Sequence, residues 1–319
     1  MKAIPKHFLY TRNAFFSRKM HDYPLRWAWA EINLPLFRSN IKSMIKKVSP
    51  QSLWAVVKAD AYGHGAVECA IAAKEAGATG LGVALVQEGI ELRKAGIDGP
   101  ILVMSEQPAS QNKIMIENDL IATLYNKNSI EHYSKIAKEL SINAKVHLKI
   151  DTGMHRVGAP LSDAIARVEQ IMSHKYLHLD GIFSHMASAD GNGNGISNDN
   201  IDPSVKKQAT AFQNVIKTLN DMGLKNKITN IHLANSAATV RGHLVATDSN
   251  ICNICRSGIA MYGINGDADS NSFGENEKLN LPMPLQPVMS LKARVSHILR
   301  VPAGEAVSYG LRIPKDHVR

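Results

Sequence analysis

Lys58 is the residue whose surroundings most suggest chemistry. It ends the apolar run Trp54-Ala-Val-Val57 and is followed by Ala-Asp-Ala-Tyr-Gly-His-Gly65. Four apolar residues in succession read as a strand covered on both faces, as in a parallel sheet. A lysine where such a strand becomes loop is partly desolvated, which disfavours its ammonium form and leaves an amine able to form a Schiff base with a carbonyl compound. A single lysine in that position is more often a snorkelling side chain. The weight therefore rests on the remainder of the chain. Gly63 and Gly65 permit a sharp turn before an alanine-rich helix opens at Ala66.

Other polar groups recur in the same kind of place. Lys149-Ile-Asp-Thr-Gly-Met-His-Arg156, Ser184-His185 and His232-Leu-Ala-Asn-Ser236 stand where apolar strand patterns give way to polar ones, and Arg256-Ser-Gly-Ile259 opens the last strand. Any one of these is ordinary for a strand end. Together they predict a shared rim, which is where the C-terminal ends of barrel strands gather functional groups.

The elements that position this rim follow from periodicity. Strands are expected near 53–58, 80–85, 100–104, 120–124, 145–150, 181–185, 230–234 and 256–262, with helices near 66–76, 86–95, 107–117, 128–140, 161–173 and 203–222. Eight strands in βα alternation predict an α/β fold of the (β/α)8, TIM-barrel type. A short strand at 27–32 and an amphipathic helix at 34–47 precede it. Two polar stretches interrupt the rhythm: 189–200, expected as a mobile rim of the catalytic face, and 266–277, expected as a linker. Pro284, Pro287 and the alternating pattern of 288–298 then mark a change to β structure. The expected organisation is a tail over 1–26, with a presequence as the lesser alternative, the barrel over 27–275, and the beginning of a C-terminal β domain over 276–319.

Composition narrows the class. The chain of 319 residues is 45% hydrophobic and 20% charged, ordinary for a soluble globular protein. Its net charge of +9 is scattered rather than gathered into basic blocks with interleaved aromatics, which argues against nucleic acid and leaves solubility and some attraction for anionic ligands. No apolar run approaches a membrane span. Three cysteines, Cys69, Cys252 and Cys255, make no disulfide framework, and no second pair completes a zinc set with the C-x-x-C spacing. A reducing, cytoplasmic setting without a metal is expected.

The segments A-V-V-K-A-D-A-Y-G-H-G, K-I-D-T-G-M-H-R-V-G, F-S-H-M-A-S-A-D, H-L-A-N-S-A-A-T, R-S-G-I-A-M-Y-G and G-E-A-V-S-Y-G closely resemble motifs of the alanine racemase family, and the resemblance runs from Trp27 to Gly310. It implies a pyridoxal 5'-phosphate enzyme that interconverts L- and D-alanine and supplies D-alanine for cell-wall peptidoglycan. It further implies that Lys58 holds the cofactor covalently and serves as one catalytic base, with Tyr309 of the partner subunit in a homodimer as the other. Tyr62, Ser236 and the backbone at Gly258 and Ile259 would hold the phosphate. Arg256 would face the pyridine nitrogen with His185 supporting it, and Arg156 would engage the phenolic oxygen and the substrate carboxylate. Lys149, carbamylated in many members, would orient Arg156. The sequence departs from the family's pattern at His155 and Met104. It also lacks the family's segments beyond the tyrosine motif, which implies a chain shortened at its C-terminus, with a weakly active cofactor-binding protein, or a racemase of another amino acid, as the alternative.

Overall fold

The computed structural model describes residues 9–10, 27–189, 202–241, 252–264, 283, 285–302 and 304–310. The boundary expected near residue 276, the linker, all but the first residue of the polar stretch at 189–200 and most of the expected tail lie outside the described residues.

The first long helix shows how local sequence sets an element. Asn33 caps α1 (Leu34–Val48) by accepting from the Leu36 amide at 3.0 Å, with a proline in the first turn and Lys46 and Lys47 in the last. Phe37, Ile41, Met44 and Val48 recur at helical spacing and are fully buried. Each such side chain contributes about 1.5–3 kcal/mol through removal of its surface from water.

Eight parallel strands then alternate with helices: β1 (Ser52–Val56), β2 (Gly80–Val83), β3 (Ile101–Val103), β4 (Ile121–Leu124), β5 (Ala144–Asp151), β6 (Leu177–Phe183), β7 (Asn230–His232) and β8 (Ile254–Ser257). Neighbours pair in sequence order, and pairing of β8 with β1 closes the sheet into a barrel. The helices between them are α2 (Ala66–Glu75), α3 (Val86–Lys94), α4 (Asn112–Glu117), α5 (Lys127–Leu140), α6 (Ala164–Ser173), α7 (Pro203–Asp221) and α8 (Ser236–Arg241). The (β/α)8 expectation therefore holds, with one correction at its end. Arg256 and Ser257 close β8 rather than open it, which puts Arg256 near the C-terminal end of its strand like the other rim residues.

Inside the barrel, Trp54, Leu102, Ile121, Phe183 and Ile254 form one buried cluster, with Met104 packed against it. The interior is a packed core rather than a pore.

A second unit comprises the described parts of Met1–Ile32 and Ser290–Arg319, while Asn33–Met289 form the barrel unit. A three-stranded sheet joins Leu9–Tyr10, Ala28–Ile32 and Met289–Ala293. Leu9–Tyr10 lies in the stretch expected as a tail, and its bridge to Ala30 and Glu31 is antiparallel. The Lys292–Glu31 ion pair, at 2.6 Å, and the Arg294 amide donating to the Trp27 carbonyl at 2.7 Å belong to this same sheet.

Candidate active site

After β1 the chain does something its residue types do not advertise. Ala59, Asp60, Ala61 and Tyr62 all take left-handed helical backbone angles, with φ between 51° and 55°. L-residues resist this conformation at roughly 1–2 kcal/mol each. The turn is held from outside: the Glu88 carboxylate of α3 accepts from the Ala59 amide at 2.7 Å and from the amides of Ala84 and Leu85 at 2.7 and 3.1 Å. Asp60 Oδ1 accepts from the Ala66 amide at 2.9 Å and ties the turn to α2. Buried His64 packs on Tyr262, which in turn contacts Tyr62. The turn leaves Lys58 half-buried, with its Nζ 5.8 Å from the centre of the Tyr62 ring.

Tyr62 stands beside the next strand end. Its hydroxyl occupies the space that a Cβ on Gly258 would fill, so this position is restricted to glycine. Gly258 N donates to Ser236 Oγ at 2.8 Å, which brings the start of α8 against the short 3-10 turn Ile259–Tyr262. Tyr62, Ser236, Gly258 and Ile259 thus form one corner.

The opposite side is cationic. Lys149 is buried, and desolvation together with the charges of Arg256 and Arg156 draws its amine down to about 8. Desolvation, with Arg256 next, holds half-buried His185 neutral, with its imidazole drawn down to about 3. Lys58 and Arg156 also reach His185 electrostatically, so Lys58, Lys149, Arg156 and Arg256 converge on one place. Arg156 itself is exposed. The turn before Arg156 is organised by Asp151, whose Oδ1 accepts from the amides of Gly153, Met154 and His155, while His155 bonds Oδ2 at 3.2 Å. His155 takes φ of 54° there.

Arg256 is buried, and desolvation draws it down to about 10. NH2 donates to the Ser184 carbonyl at 2.6 Å, and NH1 lies 2.6 Å from His232 Nδ1. His185, expected as its support, is the more distant histidine at 3.5 Å. His232 was legible only as part of a strand-end motif. Phe183 was not singled out, yet Arg256 and Lys149 sit 5.0 and 5.5 Å from its ring centre, and His232 stacks on it with centroids 4.8 Å apart. Strand alternation carries the signal that finds them: His147 and Lys149 are two apart in β5, and Gly181 and Phe183 two apart in β6. Gln208 of α7 bonds the His185 carbonyl at 3.0 Å and the Ala187 amide at 2.9 Å, fixing the loop after β6. Tyr309 belongs to the second unit and is fully exposed. Cys252 and Cys255 are buried, their thiols pushed up to about 12 and about 11 by desolvation, which keeps both protonated at neutral pH.

A closed barrel with cationic and amide-lined strand ends defines a class of enzyme. The model of the alanine racemase N-terminal domain matches residues 32–266. An alanine racemase from Clostridium novyi is 35% identical over 298 residues, covering 92% of this chain and 70% of that one. The solved alanine racemase of Clostridium difficile 630 in complex with cycloserine superposes with a TM-score of 0.73 at 31% identity, over 87% of this chain and 71% of that one. A histidine racemase from Leuconostoc mesenteroides superposes with a TM-score of 0.75 at 26% identity, over 91% and 72%. The chain belongs to the alanine racemase family and is an enzyme of the isomerase class.

Proposed function

We propose that the protein is a pyridoxal-phosphate-dependent racemase of alanine, acting by two bases. The observation that carries this reading is the convergence of Lys58, Lys149, Arg156 and Arg256, with Lys149 and Arg256 over the Phe183 ring and Lys58 over Tyr62, whose hydroxyl meets Gly258 in the corner with Ser236. Among the described residues Asp151 is the carboxylate that couples to Lys149, against the charges of Arg256, Arg156 and Lys58, so the site suits a ligand bearing several negative charges. A phosphate ester and an amino-acid carboxylate together meet that requirement. Pyridoxal phosphate, when bound, supplies an aldehyde for lysine and an electron-withdrawing ring that acidifies the α-hydrogen of an amino acid.

In this reading Ser236 Oγ, the Tyr62 hydroxyl and the amides at Gly258 and Ile259 would hold the phosphate, and Lys58 would be the amine that holds the aldehyde. Arg256 would be the group toward the ring nitrogen. A guanidinium only donates, so it leaves that nitrogen without a proton and restrains side reactions that need a stronger electron sink. Arg156 engages the phenolic oxygen and the substrate carboxylate. Racemisation needs proton transfer on both faces of the α-carbon. Lys58 Nζ serves one face, and the hydroxyl of Tyr309 of the partner subunit serves the other. His185 is held neutral, so the positive charge of the His185–Arg256 pair resides on Arg256. Lys149, whose amine sits at about 8, is the group suited to take up carbon dioxide as a carbamate with release of a proton, and the resulting anion would sit between Arg156 and Arg256.

The remaining parts of the reading are a homodimer with shared sites and a cytoplasmic role in D-alanine supply for peptidoglycan. The free cysteines fit that compartment, and among the described residues no helix is long and apolar enough to cross a membrane. A second reading, racemisation of another amino acid, is favoured by the likeness to a histidine racemase. One assay separates them: optical rotation or chiral chromatography on a panel of L-amino acids, run beside the absorbance spectrum of the purified protein. Turnover of alanine alone is expected. Faster turnover of histidine or another larger substrate would replace alanine in this reading, and a spectrum without bound cofactor would remove the cofactor from it.

A further inference from the structure

Deep in the barrel, below the cationic rim, lie polar groups that the proposed chemistry does not use. We propose that Asp180 is a positioning residue for Arg256, acting through a one-way chain of hydrogen bonds that crosses the barrel interior by way of His147 and His232. That Arg256 serves the cofactor rests on the function proposed above; the chain itself does not.

The direction of the chain follows from what each group can do. Arg256 NH1 lies 2.6 Å from His232 Nδ1, and guanidinium has no acceptor, so Nδ1 accepts. His232 then carries its proton on Nε2, which is 2.9 Å from His147 Nδ1. His147 accepts there and carries its own proton on Nε2, 3.2 Å from Asp180 Oδ2. Asn230 Nδ2 donates to the same oxygen at 2.7 Å and holds the carboxylate in place.

Both imidazoles are fully buried. Trp54 packs against His147 and His232 at centroid distances of 5.6 and 5.7 Å, and Phe183 stacks on His232 at 4.8 Å. Desolvation and the nearby Arg256 charge keep both rings neutral, so each has one donor and one acceptor. The backbone is shaped for the contact. Val146 pairs with Leu179 and His147 with Gly181, which leaves Asp180 as the extra residue of a bulge in β6. Bulges re-aim side chains in this way. A Cβ at Gly181 would come within 2.7 Å of the His147 ring, so glycine is needed beside it.

Without an acceptor at position 180, the His147 Nε2 proton loses its partner in a dry interior. The pair can relieve this by reversing both tautomers. Reversal points the Nδ1 proton of His232 at NH1 of Arg256, two donors face each other, and the guanidinium must shift.

The test uses the full chain labelled with 15N-histidine, with resonances of His147 and His232 identified by single substitutions. Both are expected as neutral rings protonated on Nε2 in the unsubstituted protein. Asp180→Asn keeps an oxygen that can accept, so the tautomers are expected to persist and the Kd for pyridoxal phosphate to stay within about twofold. Asp180→Leu removes the acceptor. The Nδ1-protonated forms are expected to appear at both histidines, and the Kd to rise about tenfold, as for loss of one buried hydrogen bond. Nδ1 protonation of either ring in the unsubstituted protein, or an Asp180→Leu protein unchanged in tautomers and Kd, would overturn the proposal. If Asp180→Leu does not fold, the tautomers of the unsubstituted and Asp180→Asn proteins decide it. Failure of the unsubstituted protein to bind pyridoxal phosphate counts against the proposed function, while the tautomers still judge the chain.

Discussion

Removing the amine at residue 58 and the hydroxyl at residue 309 separates binding from proton transfer. Lys58→Ala is expected to lose the visible absorbance of lysine-bound cofactor, its fixation by borohydride, and about a thousandfold or more of racemisation. Tyr309→Phe is expected to keep the absorbance and lose about a hundredfold or more of turnover, measured by chiral chromatography. A third outcome concerns charge. Burial lowers Lys149 from its ordinary value to about 8, so between that pH and about 10.5 the unfolded chain binds the extra proton and stability rises with pH. In carbon-dioxide-free buffer, urea midpoints should climb from pH 7 to 10, and Lys149→Met should remove most of that climb. Much at this scale was legible in the sequence because strand ends place polar groups on one rim, which is how Lys149 and His185 could be picked out, whereas Arg256 was read at the wrong end of its strand. Asp180 and His147 were not, since an acid inside an apolar strand and a histidine two before a lysine give no sign of what lies across a barrel.

The elements show where local residue types mislead. Glycines at 63 and 65 predicted the sharp turn, yet the left-handed backbone is carried by Ala-Asp-Ala-Tyr, none of them glycine. Nothing in those four residues favours it. The stabilising partner is Glu88, distant in sequence and visible only once β2 and α3 have folded against β1. Glu88→Ala therefore removes three charge-assisted hydrogen bonds and is expected to cost on the order of 3 kcal/mol in denaturant unfolding. It should also raise the rate of proteolysis near residues 58–65, because the turn alone is the least favourable conformation in the segment. Equal stability and equal cleavage would mean that the turn holds without its carboxylate clamp.

At the scale of the molecule, the βα rhythm was strong enough to give all eight barrel strands, because parallel strands sealed on both faces read as short apolar runs separated by helices of helical period. Of the small sheet, the strand at 27–32 and the change to β structure over 288–298 were legible, but Leu9–Tyr10 and the pairing of the strands were not. Leu9–Tyr10 is two residues long, and the pairing of Ala28–Ile32 with Met289–Ala293 spans nearly the whole chain. The barrel also stores a common response to acid. His64, His147, His185 and His232 are all lowered by desolvation. The unfolded chain then binds more protons below about pH 6.5, and stability falls as pH falls through that value by about 1.4 kcal/mol per pH unit for each histidine still neutral in the fold. Urea unfolding between pH 7 and 5 should show little change at first and then a steep decline. A curve level down to pH 5 would mean that these imidazoles already carry protons in the native state.

Trp54 turns this arrangement into an optical gauge. Its ring faces both central histidines, whereas Trp29 lies in the strand Ala28–Ile32 of the small sheet and Trp27 directly precedes it. With Trp27 and Trp29 replaced by phenylalanine and excitation confined to the red edge that tyrosine does not absorb, the emission originates from Trp54 in the middle of the barrel. The emission should be blue-shifted by the dry surroundings, and it should dim when protons reach His147 or His232, so the interior can be watched directly during titration, cofactor loading or unfolding.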